Sequence, residues 1–160
     1  MNQKYPFSAY DRYLCLAPNG TIWFILLYLM RPYVVMIMSI TNLQDHTGLI
    51  ELVYGGQQAV MGMGALASIP AMAILYAFVK RHPEAGDSVR RLWHQGRNLL
   101  MIGIAGNLII LALPFFLVEA YEMNTVAWIQ LGIALYIIYE LIMSQRIKDT
   151  FNDFPKPDAE

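Results

Sequence analysis

The stretch "LLMIGIAGNLIILALPFFLV", residues 99–118, decides the fold class, because it contains no charged side chain from one end to the other. A helix needs about 20 apolar residues to cross a hydrocarbon layer of about 30 Å. Three more apolar blocks of comparable length occur at residues 21–40, 59–79 and 126–143. Backbone groups in lipid must pair within the protein, and the blocks lack the alternating pattern of barrel strands. The sequence therefore predicts an all-α integral membrane protein with four transmembrane helices.

The overall composition agrees with this fold class. Of the 160 residues, 57% are hydrophobic and 14% are charged, whereas soluble domains carry about a quarter charged residues. The four blocks leave no room for a separate soluble domain. We therefore expect one domain over residues 1–160, a four-helix bundle with short tails at 1–18 and 145–160. The net charge of −1 gives no indication of nucleic-acid binding.

The distribution of Lys and Arg predicts the orientation. Ten of the eleven basic residues precede the first block, lie between the second and third, or follow the fourth. The other two loops contain Asp45, Glu51, Glu119 and Glu122 but no Lys or Arg. Because cytoplasmic loops are enriched in Lys and Arg, we expect both termini and the middle loop to be cytoplasmic. The ten residues are Lys4, Arg12, Lys80, Arg81, Arg90, Arg91, Arg97, Arg146, Lys148 and Lys156.

The eleventh basic residue, Arg31, lies inside the first block, in "YLMRPYVVMIM" (residues 28–38). A charge at the centre of a bilayer costs about 3 kcal/mol on insertion scales. Arg31 is about ten residues past the start of its block, so we expect it roughly 15 Å deep. Such residues usually face a bundle interior, a water-filled cavity or a partner. Pro32 also leaves the carbonyl of Tyr28 without its helical donor.

The candidate partners of Arg31 are polar residues of the other blocks. Glu140 is the only acidic residue within any block, and helical side chains lean toward the N-terminus of their helix. Arg31 would therefore lean toward the cytoplasm and Glu140 away from it, which predicts a direct or water-bridged contact. Asn107, at a similar depth, is a second candidate, and Tyr28 and Tyr136 would complete a buried polar cluster. This cluster either holds helices in register, binds a ligand or lipid headgroup, or carries protons or ions.

Small residues predict where helices approach closely. Gly64 with Ser68 gives small-xxx-small spacing in the second block, and Gly103 with Gly106 gives a small face on the third. Pro70 should kink the second block. These residues would pack either within the bundle or between copies of the chain.

The segment "SVRRLWHQGRNLL", residues 88–100, predicts a basic, partly amphipathic helix on the inner surface of the membrane. Arg90, Arg91 and Arg97 would attract anionic lipid or an acidic partner, although an ordinary positive-inside loop is the simpler interpretation. After the fourth block, "QRIKDTFNDF" (residues 145–154) could extend the last helix into the cytoplasm.

No motif indicates catalysis. The single cysteine, Cys15, rules out an intrachain disulfide. The three histidines lie outside the blocks and form no metal-ligand motif. We therefore expect no catalytic residues, no metal and no cofactor.

Four features together resemble one family: "YDRYLCLAPNGTIW" (residues 10–23), the pair Arg31–Pro32, the proline in the second block and "VRRLWHQGR" (residues 89–97). They are similar to the YfeZ-like family, a domain of unknown function found in small inner-membrane proteins of Gram-negative bacteria. The resemblance covers roughly residues 10 to 115 and implies a bacterial inner membrane, without any reaction. We expect a non-enzymatic accessory or scaffold component with lipid, a membrane protein or its own copies as partners. The alternative is a small transporter or ligand-binding protein that uses the residues around Arg31.

Overall fold

The computed structural model describes residues 5–41, 48–54, 58–117 and 125–155. These residues are helical, with no named strand among them, which confirms the all-α prediction for the described chain. A 3₁₀ turn over Phe7–Ala9 comes first. The α-helices are α1 (Gly20–Leu29), α2 (Arg31–Thr41), α3 (Gly48–Tyr54), α4 (Gln58–Ala67), α5 (Ile69–Val79), α6 (Asp87–His94), α7 (Gly96–Leu117), α8 (Thr125–Met143) and α9 (Gln145–Asn152).

Two of these helices, α7 and α8, are each long and apolar enough to cross a membrane. The other two predicted spans are broken: α1 and α2 meet at a bend of 60°, and α4 and α5 at a bend of 43°. The described residues therefore contain two candidate spans by length and composition, or up to four if each bent pair is one span. Lys4, Asp45, Glu119, Glu122 and Lys156, which the orientation prediction used, lie outside the described residues.

The first break follows from the Arg31–Pro32 sequence. Pro32 has no N–H to donate to the carbonyl of Tyr28. The next donor, the backbone N–H of Tyr33, bonds to Met30 at 3.0 Å instead of to Leu29, its ordinary helical partner. The Leu29 carbonyl is therefore released from the helix and needs another donor.

The second break supplies that donor. The break lies at Ser68, with Pro70 in the first turn of α5, where a missing N–H costs little. The bend predicted at Pro70 thus falls two residues earlier. The Ser68 hydroxyl is fully buried and contacts both the Leu29 carbonyl and, at 2.7 Å, the Gly64 carbonyl. The two broken helices are therefore joined at their breaks.

The small face of α7 packs against the same region. A Cβ atom on Gly103 would lie 3.3 Å from the Ala67 carbonyl oxygen, and one on Gly106 would lie 3.1 Å from the Ala67 Cβ. Gly64 of α4 similarly approaches Pro32 of α2. These glycines, which the sequence marked as packing positions, lie between helices of one chain, because their missing side chains let the backbones approach.

The hydrophobic core joins α1, α5, α7 and α8 and includes Ile25, Leu29, Ile74, Leu100 and Ile137. Many large apolar side chains point outward instead, and Phe116 on α7 is 84% exposed. An exposed apolar surface of this extent is expected where lipid is the solvent.

Both terminal segments fold back onto the helices. The chain is extended at Ser144, so the last helix is not prolonged as the sequence suggested. Instead, α9 is a separate helix that buries Ile147, Thr150 and Phe151. It docks beside the start of α7, where a Cβ atom on Gly96 would overlap the Phe151 ring.

Near the other end of the described chain, Asn19 caps α1, because its side-chain oxygen accepts a hydrogen bond from the N–H of Ile22 at 3.1 Å.

Candidate functional site

Arg31 is the first residue of α2 and lies directly after the break that ends α1. Its neighbour Asn107 is eleven residues from the start of α7, and its neighbour Gln130 is thirteen residues from the end of α8. An α-helix rises about 1.5 Å per residue. The lengths of α1, α7 and α8 thus place Arg31 roughly 15–20 Å from the side of the molecule that carries the terminal segments.

The Arg31 guanidinium binds two neutral amides and an aromatic ring. Its Nη2 donates to Asn107 Oδ1 and to Gln130 Oε1, both at 3.2 Å. Its Cζ lies 4.4 Å from the centroid of the Tyr28 ring, which is a cation–π contact. We call Arg31, Tyr28, Asn107, Gln130 and the adjacent Tyr54 the arginine cluster.

Hydrogen bonds to the backbone fix the orientation of both amides. Asn107 Nδ2 donates to the Gly103 carbonyl at 3.1 Å, and Gln130 Nε2 donates to the Val53 carbonyl at 3.3 Å. Each amide oxygen is consequently turned toward Arg31. The Tyr28 hydroxyl also donates to the Gln130 carbonyl at 3.0 Å, which ties α1 to α8.

The arginine cluster contains buried donors that are not used. Arg31 Nε, Arg31 Nη1 and the Tyr54 hydroxyl are buried and make no well-formed hydrogen bond within the described part of the chain, although Arg31 and the Tyr54 oxygen are close enough to interact with each other. Burial raises the pKa of Tyr54, and the positive charge of nearby Arg31 opposes that rise. Among the described residues, no carboxylate forms a salt bridge with Arg31. The arrangement therefore presents one positive charge and free N–H donors, which is suited to an anionic oxygen or a halide.

The predicted contact between Arg31 and Glu140 is not formed. Glu140 lies ten residues beyond Gln130 on α8, and it interacts with Tyr136 of its own helix. At about 1.5 Å per residue, those ten positions separate the two by roughly 15 Å along the axis, which the lean of side chains cannot bridge. Tyr136 is 51% exposed and is likewise outside the arginine cluster. The structure does bring Arg31, Tyr28 and Asn107 together, as the sequence predicted.

Gln130 and Tyr54 are the members that sequence reasoning missed. Gln130 had a usable signal, because it is an uncharged polar side chain in the fourth block at nearly the depth of Arg31. Tyr54 had none, because it belongs to the short helix α3, outside the four blocks. Its place beside Arg31 depends on how α3 folds back against α2 and α8.

Another arginine, Arg81, is buried and has a different environment. Its Nη1 donates to Asp11 Oδ2 at 3.3 Å and to the Leu16 carbonyl at 3.2 Å, and its Nη2 donates to the Asp153 carbonyl at 3.0 Å. The guanidinium lies over the Trp93 ring, 4.7 Å from its centroid. We call these five residues the terminal junction.

Further hydrogen bonds connect the terminal junction to both ends of the described chain. Trp93 Nε1 donates to the carbonyls of Thr150 and Asp153 at 3.1 and 3.0 Å. The Asp153 carboxylate accepts from the backbone N–H of Leu16 at 2.7 Å. Because Arg81 has a carboxylate partner, the terminal junction is a charge-compensated structural contact, although Arg81 Nε, like Arg31 Nε, is buried without a hydrogen bond among the described residues. The arginine cluster differs in having no carboxylate partner among those residues.

The three basic residues predicted as a membrane-surface patch are not equivalent. Arg97 Nε donates to the Leu141 carbonyl at 2.8 Å, and the Arg90 guanidinium lies 5.5 Å from the centroid of the Phe154 ring. Arg91 is exposed. These residues do lie on or next to an amphipathic helix, α6, which buries Trp93. Attraction of these residues to anionic lipid stays a prediction.

No metal-binding geometry occurs among the described residues, since no three His, Cys, Asp or Glu side chains are grouped there. Cys15 is buried. Its burial, followed by the negative charge of Asp153, raises the pKa of the Cys15 thiol to about 11. A thiol in this environment stays neutral and unreactive near pH 7.

The family model described as "Protein of unknown function (DUF2919)" matches residues 5–153. The chain therefore belongs to this family. The match includes the whole arginine cluster and the terminal junction. No curated protein and no solved structure matches the chain.

Proposed function

We propose that this member of the DUF2919 family is a non-enzymatic, multi-pass protein of a bacterial inner membrane, with four spans and cytoplasmic termini. The two long helices and two bent pairs support the four spans if each pair crosses as one unit. The Lys and Arg distribution supports the orientation, and the YfeZ-like resemblance supports the location. We further propose that it binds an anionic ligand at the arginine cluster, as a small transport or lipid-binding protein.

One observation carries the proposed function: among the described residues, Arg31 contacts neutral partners and keeps two buried N–H positions without a well-formed hydrogen bond. An ionisable residue inside a membrane protein usually marks a binding or transport site unless it is paired. A closed Arg31–Glu140 pair would have supported the accessory or scaffold role that the sequence predicted. Since the described residues do not form that pair, the ligand-binding alternative is the better supported one.

The location of the arginine cluster also supports ligand binding. It lies where a broken helix changes direction, next to the joined breaks at Leu29 and Ser68. Broken membrane helices place polar backbone and side chains at the level of a binding site, where a continuous helix would present only apolar groups. The half-helices α2 and α4 and the short α3 contact one another on this side of the molecule.

Native mass spectrometry of the full-length protein in lipid nanodiscs or mild detergent tests the proposed function. We expect the wild-type protein to retain a small anionic molecule or lipid that the Arg31→Gln variant does not retain. Lys80→Gln is the control, because it removes one positive charge from an exposed position outside the predicted basic patch. Co-purification of a stoichiometric membrane protein, with no retained small molecule, would favour the scaffold role and contradict ligand binding.

The orientation is tested separately by thiol labelling in intact cells. Ser88 is exposed at the start of α6, so a Ser88→Cys variant in a Cys15→Ala background gives one accessible thiol. We expect a membrane-impermeant maleimide to label it only after the membrane is permeabilised. Labelling in intact cells would place the middle loop outside and refute the proposed orientation.

A further inference from the structure

We propose that the arginine cluster selects a monovalent anion, of the carboxylate or halide type, over divalent anions such as sulfate or phosphate. This inference rests on the proposed ligand-binding function and names the class of its ligand. It follows from the hydrogen-bond inventory of the cluster, from its net charge and from the geometry of the guanidinium.

The inventory favours a ligand that only accepts hydrogen bonds. Both amide oxygens, of Asn107 and Gln130, are occupied by Arg31, and both amide nitrogens donate to backbone carbonyls. The groups left unused are Arg31 Nε, Arg31 Nη1 and the Tyr54 hydroxyl. An ammonium or guanidinium ligand would be repelled by the charge of Arg31 and would bring further donors to a site whose unused groups are themselves donors.

The net charge favours one negative charge on the ligand. Arg31 is the only Lys or Arg between residues 13 and 79, and there is none between residues 98 and 145. Among the described residues, Arg31 is the one charged member of the arginine cluster and has no carboxylate partner, so a monovalent anion would make the cluster neutral, whereas a divalent anion would leave a net charge of −1 within the helices. A single net charge at such depth is unfavourable by an amount equivalent to about a hundredfold in affinity. We expect discrimination of about that size.

The guanidinium geometry explains why phosphate loses its usual advantage at arginine. A two-point contact needs both N–H groups of one edge of the guanidinium, and each edge of Arg31 that carries two parallel N–H groups includes Nη2. Nη2 already donates to Asn107 and Gln130. The free donors at Nε and Nη1 lie on different edges, so each offers a single contact. A halide or one carboxylate oxygen is satisfied by such a contact.

The test measures thermal unfolding of the purified, full-length protein in neutral detergent by intrinsic fluorescence. Sodium chloride, acetate, octanoate, sulfate and phosphate at pH 8 are compared at one ionic strength, each in the wild-type protein and in Arg31→Gln. A ligand that binds only the folded state raises the unfolding temperature in a saturable manner. We expect this rise for a monovalent anion in the wild-type protein and in Lys80→Gln, which changes an exposed residue outside the basic patch, and its loss in Arg31→Gln. A rise with octanoate alone would indicate a ligand with an acyl chain, taken from the bilayer. A rise with chloride or acetate would indicate an anion taken from water.

Two other results separate the possible failures. An Arg31-dependent rise with sulfate or phosphate as large as that with chloride or acetate would overturn the monovalent selectivity while leaving anion binding intact. No Arg31-dependent rise with any anion would overturn the ligand-binding function itself. If Arg31→Gln cannot be purified folded, Tyr54→Phe removes a free donor while keeping the charge, and we expect it to weaken the anion-dependent rise. An unchanged rise in Tyr54→Phe would exclude that hydroxyl from the site.

Stability without added anion provides an independent test. Arg31→Gln should lower the unfolding temperature less than Arg81→Gln does, because it removes two hydrogen bonds and a cation–π contact but no salt bridge among the described residues. Arg81→Gln, which breaks the closed terminal junction, should unfold at a clearly lower temperature. A loss in Arg31→Gln as large as that in Arg81→Gln would mean that Arg31 already has a counter-charge, and would refute the proposal.

Discussion

Substitution of Arg81 by glutamine should release both terminal segments from the helices. The change removes the salt bridge to Asp11 and the hydrogen bonds to the carbonyls of Leu16 and Asp153. It also removes the cation–π contact with Trp93. Breaking a buried ion pair on one side costs about 3–5 kcal/mol, chiefly through the partners that are left unpaired.

The structure favours the lower end of that range. The Asp11 side chain is 26% exposed, so water can replace part of the lost interaction. The Asp153 carbonyl keeps its hydrogen bond from Trp93. We therefore expect a loss of about 3 kcal/mol in the free energy of unfolding. For a chain of this length, such a loss lowers the unfolding temperature by about 6–12 °C.

The assay combines fluorescence-detected thermal unfolding in detergent with limited proteolysis. Arg81→Gln should be cleaved within the N-terminal segment before α1 and within α9 at protease concentrations that leave the wild-type protein intact. Arg91→Gln, an exposed substitution of the same type, should behave like the wild-type protein. An Arg81→Gln variant with unchanged unfolding temperature and unchanged cleavage would refute the view that the terminal junction holds these segments.

Three further outcomes can be checked with the same preparations. Gly96→Ala should lose about 1–3 kcal/mol of unfolding free energy through overpacking, because its new Cβ would overlap the Phe151 ring. In the control Gly132→Ala, the new Cβ has no neighbouring atom within 4 Å, so we expect no loss of unfolding free energy. Equal losses in the two variants would contradict the docking of α9. Ser68→Ala should lose about 1–3 kcal/mol of unfolding free energy, because it leaves a carbonyl at the joined breaks without its donor. The loss is measured by titration with urea or SDS, and no loss would show that this contact is dispensable. Only the thiolate reacts, and the pKa of Cys15 is raised to about 11. Iodoacetamide at pH 8 should therefore modify Cys15 far more slowly in the folded protein than in denaturant, and similar rates would exclude its burial.

The sequence is sufficient for the helical class and for part of the arginine cluster. Long uncharged blocks leave few alternatives to helices in lipid. A lone arginine in such a block points to polar partners at a similar depth, which is how Asn107 could be selected. Tyr28 is one helical turn before Arg31 in the sequence, and their contact persists although α1 ends between them.

The sequence is insufficient where the path of the chain departs from a straight helix. Hydropathy treats residues 21–40 as one continuous span, but α1 ends at Leu29 and α2 leaves at 60°. How far the chain bends depends on which group donates a hydrogen bond to the freed carbonyl of Leu29. That donor is Ser68, which is 39 residues away in the chain. Single-span hydropathy carries no information about such a long-range contact.

The terminal segments show a similar limit. Hydropathy marks residues 145–154 as a polar extension, because Arg146, Lys148 and Asp149 are close together there. The helix nevertheless has a buried side at Ile147, Thr150 and Phe151, with the three- and four-residue spacing of an amphipathic helix. Its docking surface is assembled from α6 and α7, which are distant in sequence, so the pattern shows the buried side without showing what covers it.

The terminal junction also sets an order for biosynthesis. Arg81 and Trp93 leave the ribosome well before Asp153, the residue whose carbonyl accepts hydrogen bonds from both. At about 5–20 residues per second, the roughly 60 residues that separate Trp93 from Asp153 take several seconds to translate. During that interval the N-terminal segment and α6 lack the α9 side of their contact. A nascent chain stalled before α9 would therefore be inserted in the membrane, but the surface that α9 covers would still be exposed. Synthesis of α9, the last described helix, completes the fold.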